Sequence, residues 1–251
     1  MDNNLKRVNV KVFRADKNRE DCQRYVEGHH KVLESYGVTQ VTSANVDWMN
    51  EPYSYIIFVE NADDGRALGG GRIQLDGGSL PIPVVPAIGK LDPRIKHFVK
   101  EKAIYRTGEY CGLWNSREVA GYGIGSIFLM RAGVAIIDQL RLGSLFAFAS
   151  QATCNNSLRI GFHIVRTLGI NGIFYYPKED LIATALIIDD PLQLLGAEED
   201  ERKRIFDFRK NPIKKVIEKG PRGEIEANYN LQIPAEDIIN KLPPELYQMS
   251  V

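Results

Sequence analysis

Ala120-Gly121-Tyr122-Gly123-Ile124-Gly125-Ser126 follows the β-rich stretch Glu109–Asn115 and opens the apolar run Ile124–Leu140. Strand, glycine turn, helix is an arrangement that takes phosphate. Glycines let the backbone approach the anion, the unpaired N–H groups of the first helical turn point at it, and the helix dipole adds favourable potential. A dinucleotide loop needs a third glycine three residues after the second. Reading from Gly121 puts Ser126 there, and reading from Gly123 puts Phe128 there, so neither frame fits. A P-loop needs Gly-Lys-Ser/Thr, and this turn has no lysine. The bland alternative is a tight turn that only lets a helix pack on a strand.

Upstream, Val8, Val10 and Val12 alternate with Asn9 and Lys11, a period-two strand pattern. Asp16 is placed to cap a helix over residues 17–36, which Gly37 would end. Residues 38–52 offer at most a short helix. Tyr53–Glu60 and Ala67–Leu75, joined by Asn61-Ala62-Asp63-Asp64-Gly65, read as a hairpin. Gly69-Gly70-Gly71 in its second strand points to a bulge or a close approach by another group. A long Pro-containing insertion follows, with a helix over Pro93–Ala103.

Downstream, Ser144–Ala149 reads as a buried strand, and Asn155 or Asn156 as the cap of a helix running to Leu168 and stopped by Gly169. Gly172–Tyr176 and Ala183–Ile188 are two further strands. Charged residues 198–209 and the Pro-flanked stretch Ala235–Leu242 read as helices. The order is that of a mixed α/β fold, a sheet covered by helices on its faces. The expected organisation is one domain over residues 1–190, with a C-terminal helical extension over 191–251 packed on or beside it.

Composition bounds the function. With 251 residues and 44% hydrophobic ones, the chain can bury a sizeable core. Thirty-two basic residues balance thirty-two acidic ones, so no overall field favours nucleic acid or an anionic membrane. Cys22, Cys111 and Cys154 have neither disulfide nor zinc spacing, and a metal site is not expected. No secretory h-region follows Met1, and Arg131 and Asp138 interrupt the longest apolar run, so a cytoplasmic protein is expected.

In its order of elements from Val8 to Ile188 the chain resembles the GNAT superfamily of acyl-coenzyme A transferases, whose donor loop reads Arg/Gln-x-x-Gly-x-Gly/Ala. Ala120-x-x-Gly123-x-Gly125 matches at both glycines. It departs at Ala120, where Arg117, three residues earlier, is the nearest substitute. A finer resemblance is to the branch that makes N-acyl amino acids and acyl-homoserine lactones. Gly71-Arg72-Ile73, Leu80-Pro81 and Glu109 stand in that branch's order, whereas its Glu-x-Ser-Arg is replaced by Trp114-Asn115-Ser116-Arg117.

The resemblance implies a mostly antiparallel central sheet and transfer of an acyl group from acyl-coenzyme A to an amine, without a metal. It implies that Gly121, Tyr122, Gly123, Ile124, Gly125 and Ser126 hold the donor's phosphates. Asn155 and Asn156 would meet the pantetheine arm, unless they only cap a helix. Glu109 would be the general base, unless it is a solvated strand end, and Arg72 would hold an acceptor carboxylate, unless it forms a surface ion pair. The family's leaving-group tyrosine stands three residues before a helix-terminal Leu-Gly. Counted from Leu168-Gly169 that position is Val165, so Tyr175, Tyr176 or His163 would have to serve, with Tyr175 the catalytic candidate. The implied partners are a small-molecule amine or amino acid, an acyl-carrier protein as the alternative donor carrier, and a second copy in a homodimer. Neither nucleic acid nor membrane is implied. The alternative function is a catalytically inactive domain of this type that binds an acyl-thioester or a protein partner.

Overall fold

A computed structural model describes residues 5–35, 37 and 45–239. Its strands are β1 (Lys6–Arg14), β2 (Ser54–Asn61), β3 (Ala67–Leu75), β4 (Thr107–Asn115), β5 (Ser144–Ser150), β6 (His163–Ile164), β7 (Ile173–Tyr175), β8 (Ile182–Ile188), β9 (Ile213–Gly220) and β10 (Gly223–Asn230). Its helices are α1 (Arg19–Ser35), α2 (Val84–Ile88), α3 (Arg94–Ala103), α4 (Leu129–Ile136), α5 (Gln151–Arg159) and α6 (Glu199–Lys210). All the strands form one sheet in the order β6-β8-β5-β4-β3-β2-β1-β10-β9, with β7 beside β6 on the same edge of β8. Only β4–β5 and β1–β10 run parallel. This is the mixed, mostly antiparallel sheet flanked by helices that the sequence leads one to expect.

Alternation along the strands feeds apolar side chains to both faces. Val8, Val10, Val12, Tyr55, Ile57 and Val59 meet α4 and α6 on one face. Phe13, Ile56 and Phe58 meet α1 on the other. On that second face Phe146 and Ile187 pack under α2 and α3. The glycines of β3 make room for aromatic rings. A Cβ at Gly70 would lie 2.7 Å from the Tyr25 ring, and one at Gly71 would lie 2.7 Å from the Tyr110 ring. A bulge lies opposite them, in β4: β3 advances from Gly70 to Arg72 while β4 spans Trp114 to Cys111, so the extra residue belongs to β4.

Four expectations are corrected. Asn18, not Asp16, caps α1 by accepting the Asp21 N–H at 3.2 Å, because Asp16 is engaged by Arg14 at 2.6 Å. The turns before β4 hold the extra short helix α2. The helix after β5 starts at Gln151 and ends at Arg159, so Asn155 and Asn156 lie mid-helix, and residues 163–164 are strand. In the tail, α6 is joined by the β9–β10 hairpin, and Ala235–Asp237 makes only one 3-10 turn, with 240–242 outside the described residues.

The tail is held by a buried ion cluster. Arg131 of α4 donates from Nε to Glu201 of α6 at 2.7 Å and from Nη1 to Glu218 of β9 at 2.8 Å. The Tyr229 hydroxyl donates to Glu218 at 3.0 Å. Among the described residues no helix is long and apolar enough to cross a membrane. Removing one side of a buried ion pair leaves uncompensated charge. Arg131→Met strands two buried carboxylates and is expected to lower the unfolding free energy by about 3–5 kcal/mol in urea titration. Converting Glu201 and Glu218 to apolar residues in the same variant should recover most of the loss.

Candidate active site

β4 and β5 pair over only three residues each, Thr107–Glu109 against Ser144–Phe146, and then separate. The interval between them is a cleft of about 320 Å³. Side chains from both faces of the sheet line it: His29 and Phe148 on the α1 side, Met130 and Ser157 on the α4–α5 side. A bulge in β4 lies along it. Gly112 has φ +61°, and a Cβ there would lie 2.3 Å from the Tyr25 hydroxyl, which donates to the Gly112 carbonyl at 2.7 Å. A bulge leaves one residue of the strand unpaired in the ladder, and Gly112 and Leu113 both face the cleft.

Glu109 sits on the last paired rung, at the vertex of the fork, and lines the cleft. It is 2% exposed, and its carboxylate accepts the Val84 N–H at the start of α2. Burial pushes its pKa up to about 8, against smaller opposing effects of the Val84 N–H and the Arg72 charge. That is the range in which a general base works at neutral pH.

Arg72 faces the same side of the sheet. Its Nε and Nη2 lie 3.4 and 3.3 Å from the Cys111 sulfur, and its guanidinium stacks 4.1 Å over the Trp48 ring. It is 1% exposed and, among the described residues, its Nη1 has no partner, so it is a buried cation and not a surface ion pair. Arg72 does not itself line the cleft, although its neighbour Cys111 does. Burial, with the Arg72 and His30 charges, brings the His29 pKa down to about 4, so this cleft residue is neutral.

Beyond the end of β4 the chain makes a 3-10 turn at Arg117–Val119 and the glycine turn, then enters α4 through one π-helical turn, Ile124–Phe128. Gly121 and Gly123 have φ +82° and +86°, a region that favours glycine. The Phe128 N–H is bonded to the Gly123 carbonyl at 3.2 Å, and the Tyr122 N–H to the Val119 carbonyl at 3.2 Å. The Tyr110 hydroxyl fixes the start of α4 by donating to the Leu129 carbonyl at 2.6 Å.

Of the remaining sequence candidates, Tyr176 lines the cleft and the others lie elsewhere. Tyr175 is 57% exposed and outside the cleft lining, whereas Tyr176, the next residue, is in it. Thr153 and Ser157, four residues apart on one face of α5, line the cleft, and Asn155 and Asn156 do not. His163 is exposed, with its Nε2 3.7 Å from an Asp189 carboxylate oxygen. Val165 lies outside any helix. The helix after β5 is instead followed by Ile160-Gly161, and the same three-residue count from Ile160 gives Ser157. Its hydroxyl donates to the Thr153 carbonyl at 3.1 Å. The helical spacing of Thr153 and Ser157 and the pair Ile160-Gly161 were the available signals.

No protein-family model and no curated protein matches the chain. Solved structures do. FeeM, an N-acyl amino acid synthase from uncultured soil microbes, aligns over 74% of this chain and 94% of its own at 14% identity, with a TM-score of 0.53. MesI, a coenzyme A-dependent acyl-homoserine lactone synthase, aligns over 80% and 95% at 12% identity and 0.50. BjaI, another such synthase, determined with SAM and isopentyl-CoA, aligns over 78% and 89% at 14% identity and 0.50. The chain therefore shares the fold of these synthases, the GNAT-type fold expected from its order of elements.

Glu109 has a direct consequence for stability. Its folded pKa is raised, so its contribution is fully present below the unfolded value of about 4.3 and is lost as pH rises through about 8. Denaturation midpoints should fall across that window, and Glu109→Gln should flatten the fall. An equally steep decline in the variant would show that Glu109 is not its source.

Proposed function

We propose that the chain is an N-acyltransferase that moves an acyl group from acyl-coenzyme A to an amine, with an amino acid as the acceptor class. The observation that carries this reading is the cleft between β4 and β5, with buried Glu109 at its vertex and the glycine turn following β4. The backbone of Gly121–Ser126 would hold the donor's phosphates, and the pantetheine arm would lie in the slot. An acyl-carrier protein presenting the same arm is the second donor the slot suits.

Glu109 would take the proton as the amine nitrogen attacks the thioester carbonyl carbon. Backbone N–H groups at the Gly112 bulge would face the developing oxyanion. Collapse breaks the C–S bond, and the thiolate takes a proton through Ser157 or water, leaving an amide and the free thiol. Arg72 lies behind the cleft residue Cys111, and its buried charge there favours an acceptor that carries a carboxylate. Residues 1–190 would supply this machinery and the remainder would brace it.

Coenzyme A at a hundred times its Kd should stabilise the protein by about 2.7 kcal/mol in a thermal-shift experiment. Thiol release from a panel of acyl-coenzyme A donors with amino-acid acceptors should then show turnover. Glu109→Gln should lower kcat by about 10²–10⁴-fold with little change in coenzyme A affinity. Absence of stabilisation by coenzyme A or acetyl-coenzyme A would sink the reading. Binding without turnover on any donor or acceptor would favour an inactive acyl-thioester-binding domain, which the alanine at position 120 and the absence of a tyrosine at position 157 also favour.

A further inference from the structure

The glycine turn is built against a partner from the far end of the chain. The β9–β10 turn, Gly220-Pro221-Arg222-Gly223, packs directly on it. The Arg222 N–H donates to the Gly121 carbonyl at 2.9 Å, and its Nη1 donates to the Ala120 carbonyl at 3.3 Å. Each segment is cut away to admit the other. A Cβ at Gly121 would lie 2.6 Å from Cγ and Cδ of Arg222, and a Cβ at Gly220 would lie 2.3 Å from the Tyr122 backbone. Neither position tolerates a larger side chain without moving the other segment.

The guanidinium is held there but not neutralised. Among the described residues no carboxylate pairs with Arg222. The nearest acid in the turn's own segment, Glu118, is taken by Arg66 at 2.9 Å and Lys6 at 3.9 Å. Two cations flank the Tyr122 ring, Arg222 at 5.7 Å and Lys6 at 5.9 Å from its centroid. The hairpin cannot drift, because Glu218, two residues before the turn, is buried against Arg131 of α4, the helix that the glycine turn opens. One frame thus carries both the glycine turn and a guanidinium that, among the described residues, no carboxylate neutralises.

We propose that Arg222 is a donor-binding residue: it reaches across from the β9–β10 turn and pairs with a phosphate group of coenzyme A seated on Gly121–Ser126. The inference rests on the donor reading given above. It assigns the tail a part in the binding site, through a planar fork suited to phosphate. It also accounts for an alanine at position 120: the positive charge comes from another strand pair.

The test is calorimetric titration of the full chain with two probes, coenzyme A and pantetheine, which lacks the phosphates. Arg222→Ala should weaken coenzyme A by about tenfold, the low end for a charge-assisted contact at an exposed site. Pantetheine binding should be unchanged, and Arg222→Lys should fall between. The difference between wild type and Arg222→Ala should shrink as salt is raised. Equal coenzyme A affinity in wild type and Arg222→Ala overturns the proposal and leaves the donor reading standing. Equal losses for both probes also overturn it, since they would mean that Arg222 only shapes the turn. Failure of the wild type to bind coenzyme A overturns the donor reading itself.

Discussion

The parting of β4 from β5 is the constraint on which the rest of the site depends. Buried backbone N–H and C=O groups must find partners, and a sheet normally supplies them along its whole length. Here the ladder stops at the Glu109–Phe146 rung, and the Gly112 bulge bends β4 away from its neighbour. The strands then expose backbone to a slot instead of to each other. Glu109 is buried because it sits where the slot closes. The glycine turn is available because β4 ends on the open side. Main-chain polarity, costly in a sealed core, would become usable there to a ligand in the slot.

Two buried arginines show how the same chemistry divides into frame and site. Arg131 meets two carboxylates and a network through Tyr229, so its charge is spent on joining α4, α6 and β9. Among the described residues Arg72 meets a sulfur and an indole face, and one of its nitrogens has no partner. Its field reaches outward instead, lowering the pKa of His29 and opposing the rise at Glu109.

Much of this was legible in the sequence where local chemistry decides. The valine alternation of β1, the glycine triplet of β3 and the glycine turn each carry their own reason, and the structure supplies the rings that the triplet anticipates. Glu109 was findable as a carboxylate on a buried strand, but its raised pKa comes from a depth of burial that only the folded chain provides, and its partner, the Val84 N–H of α2, lies in an element hidden among prolines. The helix after β5 was misplaced because Asn155 and Asn156 resemble caps, although the chain is already helical from Gln151. That shift moved the helix-end count from Ile160-Gly161 to Leu168-Gly169 and hid Ser157. The β9–β10 hairpin was missed because β9 is an edge strand rich in lysine, with its isoleucines Ile213 and Ile217 exposed. Its signals, Gly-Pro-Arg-Gly between Ile217 and Ile225 and the buried alternation Ile225, Ala227, Tyr229, have meaning only once β1 is seen to need a neighbour.

That neighbour gives the chain a particular order of completion. Asn9 of β1 and Asn228 of β10 are joined by a hydrogen bond across 219 positions, so the first strand made waits for almost the last. Contacts of such long range form late, and an unpaired strand edge invites wrong partners meanwhile. Until residues 213–230 have been synthesised, β1 is an open edge and the glycine turn lacks its packing partner. The slot can take shape earlier, from β4 and β5. Donor recognition at the turn would therefore be the last property the nascent chain acquires, and a chain truncated after residue 190 would have the cleft without its brace.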